Sequence, residues 1–159
     1  MDVPSLGAGG VLGIGIWELA KQLFGLWLKQ KQGSIESSKR LLREDIECLA
    51  KLILEMQENS VRYYDCDFTS DTAKDLSRQI KAKSKTAGIK LTVINSQLSK
   101  SGGKEIPVRL WTVFKTMATK HLDVKRHNTW SDDDPRLTEI HKATNQLHTA
   151  LNDARYSAT

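Results

Sequence analysis

The sequence predicts an all-α protein: one N-terminal helix of distinct character, then an antiparallel four-helix bundle. Three observations predict it. Only three prolines interrupt the 159 residues, so long helices are open to the chain. Aromatic residues make up 6%, and β-branched residues form no alternating run of the kind a half-buried strand requires. Apolar residues instead recur at spacings of three and four, the period of one helical face. At 39% hydrophobic and 27% charged, the chain is neither disordered nor a polytopic membrane protein.

The first element is the most unusual. Residues Val3 to Leu28 are almost wholly apolar, interrupted by Glu18, Lys21 and Gln22. A helix crossing hydrocarbon needs about 20 mainly apolar residues, which this stretch has in length. At 100° per residue, Gly15, Glu18, Lys21, Gln22, Gly25 and Lys29 fall on one narrow stripe. Leu12, Ile16, Leu19, Leu23, Leu26 and Trp27 lie opposite. So wide an apolar face calls for burial in lipid or in protein. Trp17 and Trp27 are rings of the kind that anchor at headgroup level. Lys29, Lys31, Lys39, Arg40 and Arg43 follow the apolar run and no Lys or Arg precedes it, which by the positive-inside rule places the following domain in the cytosol. The expectation is a transmembrane or membrane-associated helix over residues 1–32 and a cytosolic helical bundle over residues 33–159. The corresponding location is the cell inner membrane, single-pass, with the C-terminal domain cytoplasmic. A helix lying in the plane of the interface is the other geometry that fits. Asp2 and the lack of a basic n-region argue against a cleaved signal peptide.

Two readings fit the polar stripe. Glu18 and Lys21 can pair with each other near the interface, or several copies can turn the stripe inward and line a polar path.

The second helix is expected to begin near Ser34, after the compositional break at Gly33. Its seam is Leu42, Ile46, Leu49, Ile53 and Met56, and it ends near Tyr64. Thr69 or Ser70 caps the third helix, with Asp71 favourable in the first turn. That helix runs to about Leu98, with Ala73, Leu76, Ile80, Ser84, Ala87, Leu91, Ile94 and Leu98 inward. Gly88 weakens its continuity. Ser99 to Lys104 reads as a flexible break. Pro107 suits the first turn of a fourth helix with Leu110, Trp111, Phe114, Met117 and Leu122 inward. Asp134 and Pro135 form an N-cap and N1 pair for the last helix, with Leu137, Ile140, Thr144, Leu147 and Leu151 inward and fraying expected after about Arg155.

The charge is localised. The net charge is +5, and Asp71 to Lys100 holds seven Lys or Arg against two Asp, which accounts for all of it. Lys74, Arg78, Lys81 and Lys85 share one face of the third helix. Such a face is either a solvated surface or a contact for phosphate, in anionic lipid or nucleic acid. The third helix has no aromatic residue, which favours lipid over nucleic acid. Tyr63, Tyr64 and Phe68 crowd a helix end, either closing the base of the bundle or forming a docking patch for a partner protein.

No catalytic or metal constellation emerges. His121, His127, His141 and His148 lack ligand spacing, and Asp132, Asp133 and Asp134 lack the periodicity of a calcium loop. There is no phosphate loop and no nucleophile elbow. Cys48 and Cys66 read as reduced thiols. No cofactor is expected.

The expected function is therefore a non-enzymatic, membrane-anchored helical protein that self-associates or recruits a partner, with pore formation or membrane perturbation its sharpest form. Expected partners are membrane lipid and a second copy or another protein. The layout is similar to small bacterial membrane proteins, some of which serve as antiviral defence effectors. The alternative is a soluble helical subunit whose first helix is buried in a complex and whose basic face binds nucleic acid.

Overall fold

The structure, a computed structural model, describes residues 9–120, 122 and 134–158, with backbone only for residues 9–20 and 22. Among the described residues there are four helices and no strand: α1 (Gly9–Asp65), α2 (Asp71–Ser101), α3 (Val108–Thr119) and α4 (Pro135–Ser157). The chain divides into two compact units, Met1–Arg40 and Leu41–Thr159.

The helix boundary expected near Ser34 is not there: α1 runs on through Gly33. One glycine costs a helix interior about 1 kcal/mol, which does not break it when no proline is nearby. The hydroxyls of Ser37 and Ser38 both donate to the Ser34 carbonyl, 2.9 and 2.8 Å away, leaving the helical ladder in place. The expectation of a spanning helix is also not supported. No helix among the described residues is long and apolar enough to cross a membrane. Glu18, Lys21 and Gln22 interrupt the apolar stretch Val3 to Leu28.

The second unit is a helical bundle whose order follows from pairwise contacts. Asn59 meets Gln79 at 3.2 Å, Glu55 meets Lys83, and Asp45 meets Lys90 at 3.5 Å. As numbers fall along α1 they rise along α2, so the two are antiparallel. Gln57 bonds His141 and Glu47 meets Arg155 at 2.5 Å, which sets α4 antiparallel to α1 in the same way. Gly88 faces the Trp111 ring and Asn95 bonds the Ile106 backbone, so α3 returns antiparallel to α2. α3 also packs on α4. The result is an up-down-up-down bundle in which each helix neighbours the next and the last closes on the first.

The core confirms the helical patterning. The seam Leu42, Ile46, Leu49, Ile53 and Met56 is buried, and the eight inward residues expected on α2 are the eight that are buried. Trp111, Phe114 and Leu122 are buried, while Leu110 and Met117 pack partly buried beside them. Two buried hydroxyls bond within their own helices: Ser60 donates to the Met56 carbonyl at 2.7 Å and Thr144 to the Ile140 carbonyl at 2.8 Å.

Three end signals behave as chemistry requires. Ser70 caps α2 by accepting from the Ala73 N–H at 3.1 Å. Asp134 caps α4 by accepting from the Arg136 N–H at 2.9 Å, with Pro135 in the first turn. Gly102 ends α2 in the left-handed region at φ 72°, a conformation open to glycine.

The expected flexible break after Ser99 is instead a held turn. The helix continues to Ser101, the Gly103 N–H bonds the Leu98 carbonyl at 2.9 Å, and the Lys104 N–H donates to Ser157 Oγ at 2.7 Å. For the same reason α4 does not fray after Arg155: it continues to Ser157, and Ala158 is buried.

Candidate functional site

Two surfaces separate themselves from an otherwise ordinary helical exterior. The first lies in the unit Met1–Arg40. Leu23, Phe24, Leu26, Trp27 and Leu28 are 66%, 61%, 64%, 52% and 39% exposed. Scattered exposed apolar residues are normal, but five within six positions of one helix form a contiguous patch. Phe24 and Trp27, three residues apart on one helical face, stack at 5.7 Å. The Lys31 ammonium sits 5.0 Å from the centroid of the Trp27 ring, a cation–π contact that places a positive charge at the patch margin. Of the predicted polar stripe, Lys21 and Lys29 are exposed and Gly25 opens onto free space. Gly15, Glu18 and Gln22, with the anchor Trp17, fall outside the described side chains.

The second surface is basic. Lys74, Arg78, Lys81 and Lys85 are all exposed on α2, as the spacing implied. Lys74 meets Asp71 at 2.9 Å, one turn away. The Lys74 hydrogen bond and charge hold the Asp71 carboxyl below the usual carboxylate range. The remaining lysines of α2 are sorted by face. Lys83 reaches Glu55 and Lys90 reaches Asp45, both on α1. Lys115 of α3 joins the basic surface, and sequence reasoning missed it. The pairing of Gly88 with Trp111 brings α3 alongside α2, and Lys115 lies one turn beyond Trp111, level with Lys85.

Tyr63 and Tyr64 are buried, their rings edge-to-face with centroids 5.4 Å apart, and the Tyr63 hydroxyl donates to the Leu122 carbonyl at 2.9 Å. They occupy the base of the bundle and offer no surface for docking; Phe68 is half-buried beside the turn. That turn is shaped by Asp67, whose carboxylate accepts from the Thr69 N–H at 2.9 Å and its hydroxyl at 2.8 Å. These bonds, the backbone one foremost, lower the Asp67 pKa.

Two grooves occur among the described residues. Between α1 and α4 a cavity of about 220 Å³ is lined by Ile46, Leu54, His148 and Leu151, with Lys51 and Arg155 at its edge. A wider groove of about 650 Å³ runs between α3 and α4 along Leu110, Val113, Met117 and Ala143. No group of three or more potential metal ligands occurs among the described residues. His121, His127, Asp132 and Asp133 lie outside them. Cys48 is exposed and Cys66 half-buried, with no disulfide between them. Compared with known protein families, curated proteins and solved structures, the chain finds no match.

Proposed function

We propose that this chain is a non-enzymatic helical protein that holds a bundle against a membrane surface, through an N-terminal helix lying in the interface. The observation that carries the reading is the exposed apolar run Leu23–Leu28, flanked by Lys29 and Lys31. Exposed apolar area of that size is stabilised by transfer out of water, at about 25 cal/mol per Å². Ammonium groups beside it suit the phosphate layer above the acyl chains. An in-plane helix tolerates Glu18, Lys21 and Gln22, which a spanning helix must bury at a cost of several kcal/mol. Pore formation requires spanning helices and is not part of the proposal. Anchored in this way, the bundle serves self-association or partner recruitment.

The test is flotation of the full chain with phosphatidylcholine vesicles, beside Phe24→Ser/Trp27→Ser. Both rings are more than half exposed, so the substitutions leave the fold intact. Each removes about 1–1.5 kcal/mol of transfer free energy, so partitioning falls by on the order of 100-fold. A parent chain that stays with the soluble fraction sinks the reading. That result favours a subunit whose first helix is buried in a protein complex, the use that the same exposed residues serve without lipid.

A further inference from the structure

We infer that the α2–α3 face is a second membrane contact, an electrostatic platform for anionic lipid headgroups. The inference rests on the membrane reading above and assigns this face a lipid class.

The charge distribution within the bundle is lopsided. From Leu76 to Thr119, α2, its turn and α3 carry nine basic residues and one acidic residue, Glu105. The α1 segment Leu41–Asp65 carries six acidic and three basic residues. Where α2 meets α1, its lysines are neutralised by Glu55 and Asp45. On the other side α3 supplies no acid, and Asp71 of α2 pairs with Lys74 at the far end of the row. Arg78, Lys85 and Lys115 are exposed there and make no ion pair among the described residues. Arg78 and Lys85 stand two turns apart on α2, roughly 10 Å, and Lys115 stands across the helix pair from Lys85. Lys74 and Lys81 extend the same row.

The chemistry of the face favours headgroups over nucleic acid. Sequence readout needs side chains free to address base edges, and single strands need stacking rings. Several polar side chains of these two helices are already engaged within the protein. Asn95 is held by the Ile106 backbone, and Gln79 by Asp75 and Asn59. Thr86, Thr92, Thr112 and Thr119 each donate to the carbonyl four residues earlier on their own helix. Trp111 is 7% exposed and packs on Phe114, so it offers no stacking surface. What the face chiefly offers is positive charge, which matches a fluid layer of phosphates. Each basic residue near such a surface strengthens binding about five-fold at physiological salt.

The experiment measures binding of the full chain to phosphatidylcholine vesicles with and without phosphatidylglycerol. It compares the parent, Arg78→Gln/Lys85→Gln/Lys115→Gln, and a charge-matched control outside α2 and α3, Lys51→Gln/Arg62→Gln/Lys142→Gln. The parent is expected to prefer phosphatidylglycerol vesicles, the preference shrinking as salt rises. The platform triple loses that preference by on the order of a hundred-fold and keeps its binding to neutral vesicles; the control keeps both. Equal loss in the control, or no preference in the parent, overturns the inference. Tighter binding of the parent to a DNA duplex, lost in the platform triple, overturns it in favour of nucleic acid. Failure to bind neutral vesicles, with a phosphatidylglycerol preference that the platform triple abolishes, sinks the apolar-helix reading and leaves this one standing.

Discussion

Asn95 should be the polar side chain on which the α2–α3 register most depends. Its amide brackets the Ile106 backbone: Nδ2 donates to the carbonyl at 2.8 Å, and Oδ1 accepts from the N–H at 2.9 Å. Ile106 is 1% exposed, so water does not replace these bonds. Asn95→Ala removes both at once and leaves a buried donor and a buried acceptor unpaired, at about 1–3 kcal/mol each. Alanine returns about 0.5 kcal/mol through its better helix propensity. The expected net loss is about 1.5–5.5 kcal/mol, read as a lower midpoint in urea denaturation followed by far-UV circular dichroism. Asn95→Asp refines the test. A carboxylate still accepts from the N–H but faces the carbonyl without a proton to donate. Its pKa in the folded state is therefore raised, and Asn95→Asp should regain stability as pH falls through that raised value to the ordinary carboxylate one. A loss below about 0.5 kcal/mol for Asn95→Ala would refute the reasoning, since it would mean that the bracketed groups find other partners.

Other outcomes follow from local geometry. Gly88→Ala should stabilise by about 0.5–1 kcal/mol in the same denaturation assay, because its Cβ would rest 3.8 Å from the Trp111 ring in ordinary contact. Gly103→Ala should destabilise by about 1 kcal/mol or more, since a Cβ there would come within 2.8 Å of Leu98, which is fully buried and has little room to yield. Tyr63→Phe should lower the thermal midpoint, with about 1–2 kcal/mol lost as the Leu122 carbonyl loses its donor. Asp67 has a lowered pKa in the fold, so its contribution is present above the ordinary carboxylate value and lost as pH falls through the lowered one. The decline in stability below about pH 4 should therefore be shallower in Asp67→Asn, measured as urea midpoints across that range.

Membership of the core was legible in the sequence because it is a one-helix property. Whether Leu91 or Lys90 points inward follows from the 3.6-residue period alone, and the inward set of α2 matches the buried set residue for residue. The caps Ser70 and Asp134 were legible for the same reason, since a cap bonds within three residues of itself. The continuity of α1 through Gly33 was not, because a composition break looks like a boundary while the energetic cost of one glycine is small. Nor was the order in the turn after Ser101, which rests on Ser157, 53 residues from Lys104.

By itself, then, the sequence determined the helical class, the buried face of each helix, and the two features that set this chain apart: an apolar run at one end and an excess of positive charge on α2. Only the tertiary structure decided which charges the fold uses up. Lys83 and Lys85 are alike in sequence, yet Lys83 meets Glu55 on α1 and Lys85 is exposed to solvent. The physical reason is register. A side chain's direction is set by its own helix, but its partner is set by how neighbouring helices slide past one another, and that depends on distant contacts such as Gly88 with Trp111 and Asn95 with Ile106.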